Sequence, residues 1–205
     1  MMRAVVGSLV VAVAALLTTV VTTSSPAPRT TPLTLYVGPG APDALRRAAA
    51  ALDARPTRAA DFFNGRSWAT LTNPYTERPW THSGYQMIWG IPMLPASGAS
   101  LRAGAAGRYD RYWTTMAHQL VAARQAHAIL RLGAEFNVPG HPWYAGGQAP
   151  AFVAYWRHIV RSMNAVRGAH FAYLWNPNIG GGGPVDAAIG DLGAYYPGNT
   201  YVEYV

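Results

Sequence analysis

From Leu33 onward, short apolar runs alternate with amphipathic stretches. No other feature constrains the fold as much, because strand–helix units in series build a parallel sheet covered by helices. Leu33 to Val37 is predicted as a first strand, closed by Gly38-Pro39-Gly40. A helix follows over Pro42 to Ala54, with Pro42 near its start, where a missing N–H costs little. Arg58 to Phe63 and Tyr85 to Leu94 are the second and third strands. Tyr109 to Ala123 is a helix with an apolar face of Tyr109, Tyr112, Trp113, Met116 and Leu120. Ala126 to Phe136 holds a fourth strand. Ala149 to Val166 is the clearest helix, with Phe152, Tyr155, Trp156, Ile159, Val160 and Met163 on one stripe. A fifth strand is predicted over His170 to Trp175, a short helix over Asp186 to Tyr195, and the start of a sixth strand over Tyr201 to Val205.

Five and a half βα units point to an α/β fold of the (β/α)8 TIM-barrel type, incomplete, since such barrels typically need about 250 residues and Leu33 to Val205 spans 173. The alternative is a doubly wound open sheet, which usually carries a Gly-rich phosphate loop after strand one. Gly38-Pro39-Gly40 lacks the GxGxxG spacing of that loop.

Ahead of this domain, Arg3 precedes an apolar run from Ala4 to Val21, and a Ser/Thr/Pro-rich stretch follows. This is the pattern of a secretory signal. Residues 1–27 read as a signal peptide, or as an uncleaved anchor, because a run of that length could just span a bilayer. Residues 28–32 read as a linker and 33–205 as the folded domain. Either way the domain is expected outside the cytoplasm, secreted or held at the membrane by its N-terminal segment alone. With no Cys, neither disulfides nor thiol chemistry is available.

Half the residues are hydrophobic and only 12% are charged, as suits one packed domain. All sixteen basic residues are Arg, and the formal charge is +7. The arginines are scattered, however, without the basic stripe of a nucleic-acid binder, so no nucleic-acid partner is expected. The six His show no HExxH or paired spacing, so no metal is expected. Gly180 to Gly183 is not followed by Lys-Ser/Thr and is no phosphate cradle, and there is no GxSxG elbow. No cofactor is implied.

There are only three glutamates, Glu77, Glu135 and Glu203. Glu135 ends the segment Arg131-Leu132-Gly133-Ala134-Glu135 at the close of the fourth strand. Alternation along a strand would send Arg131, Gly133 and Glu135 to one face and Leu130, Leu132 and Ala134 to the other. The first set would then project into a barrel mouth, where catalytic groups of this fold sit. An Arg131–Glu135 ion pair closing the strand end accounts for the same spacing. The loop beyond favours a site: Asn137, Pro139, His141, Trp143 and Tyr144 supply aromatic faces that stack on sugar rings and an amide that bonds hydroxyls. Tyr75 and Trp80, in a Pro-rich loop, are further candidates for sugar contact, whereas Trp89 reads as core.

Arg131 to Tyr144, Phe152-x-x-Tyr155-Trp156-Arg157-His158-Ile159-Val160, Leu174-Trp175-Asn176-Pro177-Asn178 and Tyr195-Tyr196-Pro197-Gly198-Asn199-x-Tyr201-Val202-Glu203 follow one another in order. This ordered series resembles glycoside hydrolase family 26, which includes β-mannanases and related endo-β-glycanases. The resemblance is best over residues 85–205 and loose over 33–84. It implies a (β/α)8 barrel and a retaining mechanism with two glutamates, in which Glu135 matches the acid/base. Arg131, Asn137, Trp143, Tyr144, Trp175, Asn176 and Tyr196 would then bind a polysaccharide or oligosaccharide substrate.

Three departures are visible. Ala134 stands where the family often has His before its acid/base. Glu203 stands in place of an Asp. The family's nucleophile lies after a seventh strand that these residues do not include, and Asp61 and Glu203 are the only available substitutes. Two functions follow as expectations: a secreted retaining endo-β-glycanase, for example on β-mannan, or a non-catalytic carbohydrate-binding remnant or gene fragment.

Overall fold

The computed structural model describes residues 33–73, 75–179 and 190–205. The N-terminal apolar run, the linker, Gly180–Gly183 and the first residues of the helix predicted from Asp186 lie outside them. Five strands form one parallel sheet in the order β1-β2-β3-β4-β5: β1 (Thr34–Leu35), β2 (Arg58–Phe62), β3 (Gln86–Ile91), β4 (Ile129–Leu132) and β5 (Ala172–Leu174). Strand order follows chain order without reversal. The doubly wound alternative requires a reversal, because its ligand crevice opens where the order turns back. The arrangement is therefore α/β with a singly wound parallel sheet, compatible with part of an α/β barrel.

The helices are α1 (Pro42–Ala51), α2 (Trp68–Leu71), α3 (Leu101–Ala105), α4 (Asp110–Ala122) and α5 (Ala149–Asn164). The predicted stripe of α5 is the set it buries: Phe152, Tyr155, Trp156, Ile159, Val160 and Met163. Its neighbour α4 buries Trp113, Met116, Ala117 and Leu120. The two are tied by Trp113, whose Nε1 donates to the Tyr155 hydroxyl at 3.1 Å, while that hydroxyl donates to the Met93 carbonyl at 2.7 Å. Gly104 lets α3 approach, since a Cβ there would sit 2.4 Å from the Tyr155 ring. Among the described residues, no helix is long and apolar enough to cross a membrane.

Register divides the sheet into two faces. Ala59 pairs with Met87, and Asp61, Trp89, Leu130 and Tyr173 form one row across four strands. All these side chains are buried. The opposite face carries Arg58 and Gln86, then Ala60, Ile88, Ile129 and Ala172, then Phe62, Gly90, Arg131 and Leu174. Most of this second set is only partly buried.

That second face is concave. The Arg58 guanidinium of β2 lies 5.7 Å from the ring centre of Tyr204, which bridges to Leu174 of β5 in parallel. In a flat sheet those segments would lie roughly 19 Å apart, four strand spacings, beyond the joint reach of the two side chains. The sheet curls to bring them together.

Two expectations are corrected. The predicted sixth strand, Tyr201–Val205, is reduced to that one bridge, with Glu203 and Tyr204 N–H both donating to the Tyr173 carbonyl. Within the described part of Asp186–Tyr195, the helix is a 3-10 turn over Leu192–Tyr195, capped by the Asp191 side chain on the Gly193 N–H.

Candidate functional site

A cavity of about 280 Å3 opens at the C-terminal ends of β2, β3 and β4, lined by Phe62, Phe63, Gly90, Ile91, Pro92, Arg131, Ala134, Glu135, His141 and Trp143. Its floor is the last register row of the concave face. Phe62 pairs with Gly90 and Gly90 with Arg131. A Cβ on Gly90 would stand 2.3 Å from the Phe62 ring, so the missing side chain is what lets that ring lie across the strand.

Glu135 enters this cavity by a route that strand alternation did not foresee. β4 ends at Leu132. Gly133 and Glu135 both take left-handed backbone, at φ 48° and 55°. Gly133 suits that conformation, and a Cβ there would also meet the Met93 sulfur at 2.6 Å. For Glu135 the conformation carries strain, since an L side chain disfavours it. The turn is held because the Glu135 N–H donates to the Asn176 carbonyl at 2.8 Å and its own carbonyl accepts from Val138 N–H at 2.9 Å. The Glu135 side chain stays 43% exposed, facing the cavity.

Arg131 is placed by Asn176. Its Nε donates to Asn176 Oδ1 at 2.7 Å, and its Nη2 stands 4.0 Å from Glu135 Oε1. The guanidinium is therefore a neighbour of the carboxylate rather than a close bidentate partner. Burial pushes Arg131 below its ordinary pKa, and the Glu135 charge acts the other way. Asn176 thus serves both residues, through its side chain and its backbone.

Trp143 forms one wall. Its Nε1 donates to the Ala134 carbonyl at 2.9 Å, and its ring stacks on His141 at 4.8 Å and 9°. The fixed indole leaves an aromatic slab beside Glu135. Phe62 lines the cavity from the end of β2, followed by Phe63, which is 4% exposed and packs on Trp89. Sequence reasoning missed this pair, although Gly90 inside a strand was the available signal of a close approach.

Other expected contacts are placed elsewhere. Asn137 is wholly buried. Its Nδ2 donates to the Asn178 carbonyl at 2.7 Å and its Oδ1 accepts from Asn178 N–H at 2.8 Å. It clamps two loops and has no face for a sugar. Trp175, 7% exposed, packs against Phe136 at 5.5 Å and Tyr196 at 5.4 Å, so it is core. Tyr196 bonds Asn199 through its hydroxyl at 2.8 Å, and Tyr144 packs against the core. Neither lines the cavity. Trp80 is buried, with its Nε1 on Asp61 at 2.7 Å. Trp89 is core, as expected, and donates to Gln125.

The two substitute carboxylates are committed as well. Asp61 belongs to the helix-facing register row, opposite the cavity floor. Its oxygens accept from Gly40 N–H, Phe62 N–H and Trp80 Nε1, each at 2.7 Å. Glu203 accepts from Tyr173 N–H at 2.7 Å. Among the described residues lining the cavity, Glu135 is the one carboxylate.

No protein-family model matches the chain, and no curated protein matches it.

Proposed function

We propose that the chain is a glycoside hydrolase-type (β/α) barrel domain that takes a β-glycan, such as β-mannan, in the cleft beside Glu135. The observation that carries this reading is the place of Glu135: a half-exposed carboxylate, held on strained backbone, in an aromatic-walled cavity at the C-terminal ends of parallel strands in consecutive order. Active sites of α/β barrels occupy that end, and barrels of this kind wind their strands in sequence. The curl between Arg58 and Tyr204 supports the same architecture.

In this reading Trp143 and Phe62 present apolar faces to sugar rings. Glu135 would protonate the leaving oxygen while a second carboxylate takes the glycosyl group, and would then draw a proton from the water that displaces that carboxylate. Arg131, held off by Asn176, keeps positive charge near without locking Glu135 in a tight ion pair. The N-terminal segment, Arg3 followed by an apolar run, supports export of the domain.

A second reading, glycan binding without turnover, rests on a specific observation. A retaining glycosidase needs a second carboxyl about 5–5.5 Å from the first, and the described cavity wall supplies Glu135 alone. Hydrolysis of soluble β-glycans by the chain and by Glu135→Gln separates the two. Turnover lost in the variant establishes a glycosidase. Binding by both with turnover by neither establishes a binding domain. Absence of both binding and turnover from folded protein refutes the glycan reading.

A further inference from the structure

Two oxygens are left without donors in one place, on Glu77 and Gln119. Glu77 lies in the connection between β2 and β3, and Gln119 in the last turn of α4. Glu77 is 2% exposed. Its Oε2 and the Gln119 Oε1 are both buried, with no hydrogen-bond partner among the described residues. Both residues line a cavity of about 420 Å3, together with Arg78, Thr81, Ala122 and Ala123. None of these lines the cavity of Glu135. We propose that this cavity is a cation site, which takes Ca2+ between the Glu77 carboxylate and the Gln119 side-chain carbonyl and ties the β2–β3 connection to the end of α4.

The donors nearest these oxygens are already engaged. Gln119 Nε2 donates to the Thr72 carbonyl at 2.9 Å, which fixes the amide and turns Oε1 away from that bond. Gln125 accepts from Trp89 Nε1 through its side-chain oxygen, and its Nε2 donates to the Glu77 backbone carbonyl at 3.1 Å. The Arg78 guanidinium lies against the Tyr75 ring, 4.4 Å from its centre, and makes no hydrogen bond to Glu77. Buried polar atoms are rarely left unmet, and a pair of them on one cavity points to an ion or a water that fills it.

The chemistry of the lining selects a hard cation over a water. One of the two oxygens belongs to a carboxylate, whose charge a water cannot neutralise. Ca2+ takes carboxylate, carbonyl, hydroxyl and water oxygens in flexible geometry. Glu77, Gln119 and Thr81 supply the first three kinds, and the cavity has room for several waters. Among the described residues, no three His, Cys, Asp or Glu gather to hold a metal. Charge neutralisation therefore rests on Glu77 alone, and the affinity expected is that of weak extracellular calcium modules, with Kd about 0.1–1 mM. The site stands apart from Glu135 and does not rest on the glycan reading.

The test is thermal melting of the full chain, stripped of metal with EDTA, dialysed and titrated with CaCl2 at neutral pH. Without Ca2+, Glu77→Gln should melt above the parent, because the unmet charge is gone. With about 10 mM CaCl2, at least ten times the expected Kd, the parent midpoint should rise by about 5 °C. The midpoint of Glu77→Gln should stay where it was, so that Ca2+ closes the gap between the two chains or reverses it. A parent midpoint that is independent of CaCl2 would show that a proton or a water satisfies the two oxygens, and the cation site would be wrong. Equal rises in the parent and in Glu77→Gln would place the bound Ca2+ elsewhere and refute it too.

Discussion

The side-chain carbonyl of Asn176 holds Arg131 by its Nε at 2.7 Å, which leaves the far end of the guanidinium 4.0 Å from Glu135. One amide thus sets the distance between a cation and the proposed acid. Asn176→Ala removes a hydrogen bond to a charged group, and such bonds contribute about 1.5–3 kcal/mol. We expect a loss of about 2 kcal/mol in urea denaturation and weaker glycan binding. Unchanged stability would mean that the Arg131 side chain is held by other contacts.

Glu135 carries the strain of a left-handed backbone at φ 55°. Glycine accepts that conformation freely, so Glu135→Gly should stabilise the domain by about 1 kcal/mol. It should also abolish turnover of any glycan that the chain cleaves. Glu135→Gln keeps the Cβ and should show no such gain. A lower melting temperature for the glycine variant would show that the carboxylate's contacts outweigh the backbone strain.

Glu77 is 2% exposed, and its Oε2 has no hydrogen-bond partner among the described residues. Burial raises its pKa above the ordinary 4.5, against the opposing effects of its own backbone N–H and of Arg78. The folded state therefore binds a proton more tightly than the unfolded state. The contribution of Glu77 to stability should be greatest below pH 4.5 and be lost as pH rises through the raised value. Glu77→Gln removes this loss and offers a donor in the cavity it shares with Gln119, whose Oε1 is also unpartnered. The variant should be more stable than the parent at neutral pH. That advantage should shrink towards zero below pH 4.5, in melting curves taken across pH.

Trp175 is buried and its indole N–H has no partner among the described residues, a defect that costs about 1–3 kcal/mol. Trp175→Phe removes the orphan donor and some packing together. Stability should change by less than about 1 kcal/mol, since these effects oppose each other. Oligosaccharide affinity should be unaltered. A tenfold loss of affinity would return Trp175 to the sugar site.

What was legible in the sequence followed from periodicity. The stripe of α5 and the strand from Arg58 needed only spacing, because each buries one continuous face. Helices α2 and α3 run to four and five residues, too short for a periodic signal. Glu135 was found as a carboxylate after a strand, but by alternation, which its left-handed turn breaks. Asn137 looked like a loop amide free for ligand. Its partner is the backbone of Asn178, on a loop that only the fold brings near. Trp80 looks like a loop aromatic free for sugar for the same reason, since its indole is fixed by Asp61, on β2.

The contact of Arg58 with Tyr204 has a consequence for how the chain is made. Strands stacked in chain order can each dock on the one before as they leave the ribosome. The Arg58–Tyr204 contact cannot form until the chain has been synthesised to Tyr204. Until then the growing sheet lacks that contact across its concave face, which stays open to other chains in the cell. A nascent chain stalled before Tyr204 should therefore engage chaperones more strongly than one stalled well beyond it.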